Sequence, residues 1–380
     1  PPGKEPTVIA LRATRAFDGD RFVDNAVVVV DGDVITDVGE SVPAGAEVVE
    51  LGDALLTPGL IDTHQHLVFN GQGTLEEQVV GVSDEELRER ARANAARALR
   101  AGITTIRDLG DRGFVTVDLV GDPALPTILA SGPPLTPMQG HCWYLGGECA
   151  DIDELRAAVH ARKARGCAVV KLMATGGHGT PTYPMWKSQF TTDELRAVIA
   201  TAHGVGLPVA AHCHGVGGIA SAVEVGVDTI EHCTFFSESG GSEPDETLIK
   251  SIAAAGIPVS ATYGQLPGSE PPPVIKANID KVIGALLYLR ECGGTIVIGT
   301  DAGIGPPKPH DVLPYAFDML TEIGMTPAQA LASMTSVSAR VLGLGDRKGR
   351  LAAGYDADIR ASGAALTDVR GVWLRGARVV

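Results

Sequence analysis

Histidines in this chain stand where apolar, β-branched runs give way to polar residues. Gly59–Thr63 is followed by His64-Gln65-His66, and Pro208–Ala211 by His212-Cys213-His214. Asp228–Glu231 runs into His232, Thr295–Gly299 into Thr300-Asp301, and Lys171 lies inside Val169-Val170-Lys171-Leu172-Met173. Imidazole and carboxylate together suit Zn, Fe, Ni or Cu. Residues i and i+2 of a strand share a face, so His64 and His66 can hold one ion between them. A lone core histidine is more often structural than ligating. His64, His66, Lys171, His212, His232 and Asp301, each towards the end of a strand, read instead as one metal site.

Lys171 is the odd member of that set, because a buried ammonium among imidazoles and cations is destabilised. Either it pairs with an acid elsewhere, or its amine is carbamylated by CO2 and becomes a carboxylate bridging two metals. Its four apolar neighbours favour the second reading. Glu231 should point away from the site by strand alternation. Asp62 and Asp108 read as structural hydrogen-bond partners, and His160 and His203 as solvated or packed.

These residues can meet only if the elements that carry them share an end. Eight apolar runs (59–63, 103–108, 127–130, 168–173, 208–211, 228–231, 257–261 and 295–299) alternate with amphipathic stretches. Ser83-x-x-Glu86 and Thr191-x-x-Glu194 open two helices as capping boxes. Further helices are expected at 151–165, 244–255, 273–292, 311–323 and 328–342. The alternation predicts an α/β chain with a (β/α)8 TIM-like barrel, which gathers the C-terminal ends of its strands about one axis. An open doubly wound sheet is disfavoured, since Gly71-Gln-Gly73 after the first strand lacks a third glycine. The β-branched runs from Thr7 to Leu51, and those of the tail beyond Arg350, predict a small β-sandwich domain built from both termini. The expected division is 1–58 with 343–380 for that domain and 59–342 for the barrel.

The composition fits this reading. Of 380 residues 44% are hydrophobic, ample for a large core, and 47 Gly with 24 Pro supply many tight turns. A net charge of −15, with no basic run, argues against nucleic acid and anionic membranes as partners. The partner expected is a small-molecule substrate, and a homo-oligomer is compatible with the sequence. Pro1 to Pro6 carries no signal-peptide core, and the six cysteines form no C-x-x-C pair, so a cytoplasmic protein with reduced thiols is expected.

Pro58-Gly-Leu-Ile-Asp-Thr-His-Gln-His66 resembles the strand-one signature of the amidohydrolase superfamily, and Gly299-Thr-Asp-Ala-Gly303 its strand-eight signature. Met325-Thr-Pro-Ala-Gln-Ala-Leu331 through Gly354-Tyr-Asp-Ala-Asp-Ile359 resembles its C-terminal tail. Val170-Lys-Leu-Met-Ala-Thr-Gly-Gly177 and Ala210-Ala-His-Cys-His-Gly215 further resemble its binuclear-zinc, prolidase-like and Xaa-Arg dipeptidase branch, among the imidazolonepropionase-related members. The resemblance implies two divalent ions, most often Zn. His64, His66 and Asp301 would hold one, His212 and His232 the other, with carboxylated Lys171 bridging both. It implies Asp301 as general base and acid towards a metal-bridging hydroxide, and His141, in Gly140-His-Cys-Trp143, as the group that stabilises the oxyanion. His214 would face the substrate. His178, Tyr183 and Trp186 sit on a loop that departs from the branch, and His310 precedes the last barrel helix; these are the further substrate-binding candidates. The implied activity is hydrolysis of the amide bond of a dipeptide or N-acyl amino acid. The alternative is a single-metal cyclic amidase or deaminase, which usually carries a Glu three residues after the strand-five histidine; Gly215 occupies that position here. A non-catalytic scaffold would have lost metal ligands, and all six are present.

Overall fold

A computed structural model describes residues 8–380; the readings made for residues 1–7 lie outside them. The eight apolar runs form eight parallel strands: β1 (Leu60–Gln65), β2 (Ile103–Asp108), β3 (Thr127–Ala130), β4 (Val170–Met173), β5 (Val209–Gly215), β6 (Thr229–Phe236), β7 (Val259–Thr262) and β8 (Ile296–Gly299). β1 to β3 pair in sequence, as do β4 to β8. Backbone hydrogen bonds cross both remaining seams. Between β3 and β4, Ala168 N donates to Ala130 O (2.9 Å) and Leu135 N to Lys171 O (2.8 Å). Between β8 and β1, Asp301 N donates to His64 O (2.7 Å) and His66 N to Ala302 O (3.1 Å). β5 and β6 run on through their histidines instead of stopping before them.

Of the two expected capping boxes, the one at Thr191 is complete, and the one at Ser83 makes only the bond from the Glu86 amide. Ser83 Oγ accepts from Glu86 N at the start of Asp84–Arg100, and Asp151 Oδ1 from Glu154 N at Ile152–Arg165. Thr191 and Glu194 form the reciprocal pair that opens Thr192–Gly204. Two expected helices are each split: 273–292 into Pro273–Lys276 and Ile279–Glu291, and 328–342 into Pro327–Ser333 and Ser336–Val341. The second break falls at Thr335, whose φ of −138° and ψ of −96° are not helical. The stretch expected at 311–323 is a 3-10 turn (Leu313–Tyr315) followed by the short helix Ala316–Glu322. A further helix, Val216–Val225, links β5 to β6. Its opening is glycine-rich and no side chain caps it, so no start signal marks it. Gly218 is required there: a Cβ at that position would lie 2.2 Å from the Thr175 side chain.

Strands from both termini pair in one eight-stranded sheet. Ile359–Ser362 runs antiparallel to Leu55–Pro58, which leads directly into β1. Ile9–Phe17 pairs with Phe22–Asp31 on one side and with Glu47–Glu50 and Leu55–Pro58 on the other. This sheet has its own apolar cluster, including Leu11, Val28, Ile35, Leu56, Ile359 and Trp373. A much larger cluster lies between the parallel strands and their helices. All six cysteines are free, and five are buried. Among the described residues no helix is long and apolar enough to cross a membrane.

Trp373 stands opposite Ile359 and is 1% exposed. Trp373→Ala should cost about 3–5 kcal/mol of stability. Urea denaturation followed by circular dichroism measures it, and a loss under about 1 kcal/mol would place the terminal sheet outside the cooperative core.

Candidate metal centre

β1 delivers His64 and His66 to the C-terminal end of the parallel strands. Their Nε2 atoms stand 3.3 Å apart, and Asp301 Oδ1 lies 3.4 Å from the first and 3.3 Å from the second. Ligands on a tetrahedral zinc ion, with bonds of about 2.1 Å, stand about 3.4 Å from one another. These three atoms therefore already have the spacing that one ion requires. His212, His214 and His232 bring one ligand atom each within 4.8 Å of one another, and His64, His232 and Asp301 do the same. His232 belongs to both groups and joins them. The His212 and His232 ring centroids are 4.6 Å apart, and those of His64 and His232 5.0 Å.

Each of the four expected histidine ligands is held by its other ring nitrogen. His64 Nδ1 donates to Glu231 Oε2 (2.9 Å), His66 Nδ1 to Gly110 O (3.2 Å) and His212 Nε2 to Gly176 O (3.2 Å). His232 Nδ1 pairs with Thr262 Oγ1 (3.2 Å). Such partners fix ring orientation and tautomer, leaving the opposite nitrogen to ligate. Burial, with Lys171 next in effect, pushes His64 down to about 4. Burial and neighbouring imidazoles hold His212 and His232 well below the usual histidine value. All three are neutral at pH 7, the form that binds metal. Burial alone would raise Asp301, but His64, His66 and Lys308 overcome it and keep the carboxyl below the usual range.

Lys171 points into this cluster from the middle of β4. It is 0% exposed, and its Nζ has no hydrogen-bond partner. Burial pushes its pKa down, and Glu231 and Asp301 pull it only partly back. No carboxylate lies within ion-pair reach of Nζ among the described residues, so the salt-bridge reading of Lys171 is not met.

Glu231 corrects the alternation argument. It is buried and reaches His64 instead of turning away. The next residue, His232, has φ of +69° and Cys233 +55°, so the backbone leaves strand geometry there. Glu231 and His232 can then both serve one centre. The other oxygen of Glu231 accepts from Arg107 Nη2 (2.7 Å) and Thr229 Oγ1 (2.7 Å), while Arg107 Nε donates to Thr63 O (2.7 Å). This buried Arg107–Glu231–His64 chain escaped the sequence reading; its only mark there is an acid next to a ligand histidine. Asp62 is structural as expected. Its carboxylate accepts from Thr300 N (3.0 Å), Thr300 Oγ1 (2.7 Å) and His64 N (3.1 Å), clamping β8 to β1. Asp108 accepts from Leu67 N (2.7 Å).

The substrate-binding candidates separate. His141 is buried 4.7 Å from the His212 ring, with Nδ1 on Thr180 Oγ1 (2.8 Å). Burial, then His214 and Lys171, push its pKa to about 3. His214 stacks on His232 at 4.5 Å, and its Nδ1 pairs with Thr234 Oγ1 (2.8 Å). Residues 176–187 form a loop whose base is the Thr175–Ser188 bridge and whose Thr180 reaches His141. On that loop Tyr183 and Trp186 are half-buried and His178 is exposed, near enough to His214 to influence its charge. His310 departs from expectation. It is buried with Nδ1 against Gln65 Oε1 (3.0 Å) and Nε2 against Phe69 O (3.0 Å), so it braces the end of β1 and keeps no free nitrogen for a ligand. His203 pairs with Asp228 away from the cluster.

The Amidohydrolase family profile matches residues 55–377. The chain is 28% identical to imidazolonepropionase from Deinococcus deserti, covering 94% of this chain and 93% of that protein. It is also 28% identical to ochratoxinase from Aspergillus niger, over 81% of this chain and 70% of that one. Its fold matches the crystal structure of a Xaa-Pro dipeptidase with bound methionine in the active site. That match has a TM-score of 0.81 and 25% identity, over 98% of this chain and 99% of the other.

Glu231→Gln keeps the size of the group but not the charge that orients the His64 Nδ1–H. Metal affinity, read by chelator competition, should fall about 10- to 100-fold. Unchanged affinity would remove Glu231 from the support of the site.

Proposed function

The chain belongs to the amidohydrolase family, and on that premise we propose that it hydrolyses the amide bond of a dipeptide or N-acyl amino acid at a two-cation centre. The observation that carries this reading is Lys171: a fully buried amine without any partner, near enough to His64, His212, His232 and Asp301 for its charge to act on theirs. Carbamylation turns that orphaned amine into a carboxylate, which supplies the anionic ligand otherwise lacking between the two histidine groups. A single-metal hydrolase has no use for Lys171. The residues that would hold the cations are His64, His66 and Asp301 on one side and His212 and His232 on the other, with Lys171 shared. The likeness to a Xaa-Pro dipeptidase supports the dipeptide class. We read the parallel strands as a closed (β/α)8 barrel over 59–342, and, among the described residues, 8–58 with 343–380 as a terminal β-sandwich domain, supported by the seam hydrogen bonds and the two main apolar clusters.

When bound, divalent cations, Zn by ligand type, would polarise the scissile carbonyl and lower the pKa of water. Asp301 is ionised at neutral pH and positioned to take a proton from the attacking water and return it to the leaving amine. His141 is neutral. If its Nδ1 accepts from Thr180, its Nε2–H is the donor available to the carbonyl oxygen as negative charge develops. His214 stacks on His232 beside the cluster, and Tyr183 and Trp186 on the 176–187 loop offer an aromatic wall for the substrate side chain.

Elemental analysis of the active protein should find about two divalent ions per chain, because the ligand set exceeds what one tetrahedral ion uses. One ion in a fully active enzyme would contradict the two-cation reading. Lys171→Ala should lose turnover and regain part of it when short carboxylic acids are added; two ions and normal turnover without added acid would exclude the bridging role. Asp301→Asn should retain metal while kcat falls by about 10²–10⁴. An unaltered kcat in the metal-loaded variant would assign the base elsewhere.

A further inference from the structure

One cation at the strand ends lacks a counter-charge. Lys308 sits in Pro306-Pro307-Lys308-Pro309, on the segment that follows β8. Its Nζ donates to Thr300 O (2.7 Å) and Thr262 O (2.9 Å), at the C-terminal ends of β8 and β7. Thr300 immediately precedes Asp301, and the Thr262 hydroxyl holds His232 Nδ1. The ammonium is thus one residue from one expected ligand and one side chain from another.

The contrast with Lys348 is informative. That lysine, buried beside the terminal sheet, has Asp358 at 2.6 Å and Asp356 at 2.8 Å. Lys308 is only partly buried, and among the described residues no carboxylate oxygen lies within 4 Å of its Nζ. Its two carbonyl acceptors leave one of three N–H groups free. A cation partly withdrawn from water without a counter-charge within pairing distance carries some desolvation cost, which a bound anion offsets. Asp301 stands close enough for the two charges to influence each other, but not to pair.

We propose that Lys308 is the residue that binds the free carboxylate of the substrate. The proposal rests on the amide-hydrolase reading and names the anchor that selects within it. A charge-assisted hydrogen bond of this kind corresponds to about a 10- to 100-fold preference. The two carbonyl bonds also give Lys308 a bracing role between β7 and β8. Bracing alone would affect all substrates equally, whereas an anchor acts only on those with a carboxylate.

The test uses the metal-loaded protein and a panel of N-acyl amino acids, each paired with its carboxamide. In the wild type, kcat/KM for the acid should exceed that for the carboxamide by at least about tenfold. In Lys308→Met that ratio should collapse towards one, chiefly through KM of the acid, and Lys308→Arg should keep part of it. A wild-type ratio near one, or a Lys308→Met variant that loses both substrates in proportion, overturns the proposal. If Lys308→Met does not fold, Lys308→Gln is read by the same ratio. If no panel member is turned over, the amide-hydrolase reading fails on its own. Calorimetry of free amino acids against their amides then decides Lys308: a preference for the acid that the variant lacks supports it, and equal binding by the wild type overturns it.

Discussion

An amine at the centre of a protein must be paired, neutral or chemically altered, and Lys171 has no pair. Its strand neighbours are apolar, its Nζ has no acceptor, and the groups around it are mostly imidazoles. Placing the ammonium form there costs several kcal/mol that Glu231 and Asp301, out of pairing distance, recover only in part. A carbamate reverses the problem, since it brings the negative charge that a cluster of neutral imidazoles needs in order to hold cations. Much of the rest of the site follows. The ligands must ring one point, their far nitrogens must be anchored, and the floor beneath them must be dry.

The anchoring uses the interior of the strands. Arg107 and Glu231 form a buried charged pair below His64, and Asp62 ties β8 to β1 beneath Asp301. Two of the expected ligands, His232 and Asp301, leave strand geometry, with φ of +69° and +58°. Such conformations cost of order 1–3 kcal/mol each in residues other than glycine. Here the hydrogen bonds of Asp301 N to His64 O and of His232 Nδ1 to Thr262 enforce them. These turns aim side chains from two strands, separated by β7, towards each other.

The sequence was most legible where chemistry and periodicity coincide. The apolar runs fall within a few residues of β1 to β8, and the residues expected at their ends do converge. What escaped it depends on direction in space. Strand alternation turned Glu231 the wrong way, because a positive φ at the next residue is not written in a histidine codon. His310 looked like a pocket residue from its place before the last helices, yet Gln65 and Phe69 occupy both its nitrogens. The helix Val216–Val225 begins among glycines chosen for close approach to Thr175, so it carries no cap to announce it. Lys308 lies between prolines, and only the carbonyls of Thr262 and Thr300 reveal that it faces the strand ends.

The central claim, a carbamylated Lys171 shared by two cations, is tested most directly by ¹³C labelling. Protein reconstituted with divalent metal in ¹³C-bicarbonate should show one protected carbamate carbon per chain by NMR, absent from Lys171→Arg. Protein that binds two cations with full activity and shows no such carbon would contradict the account.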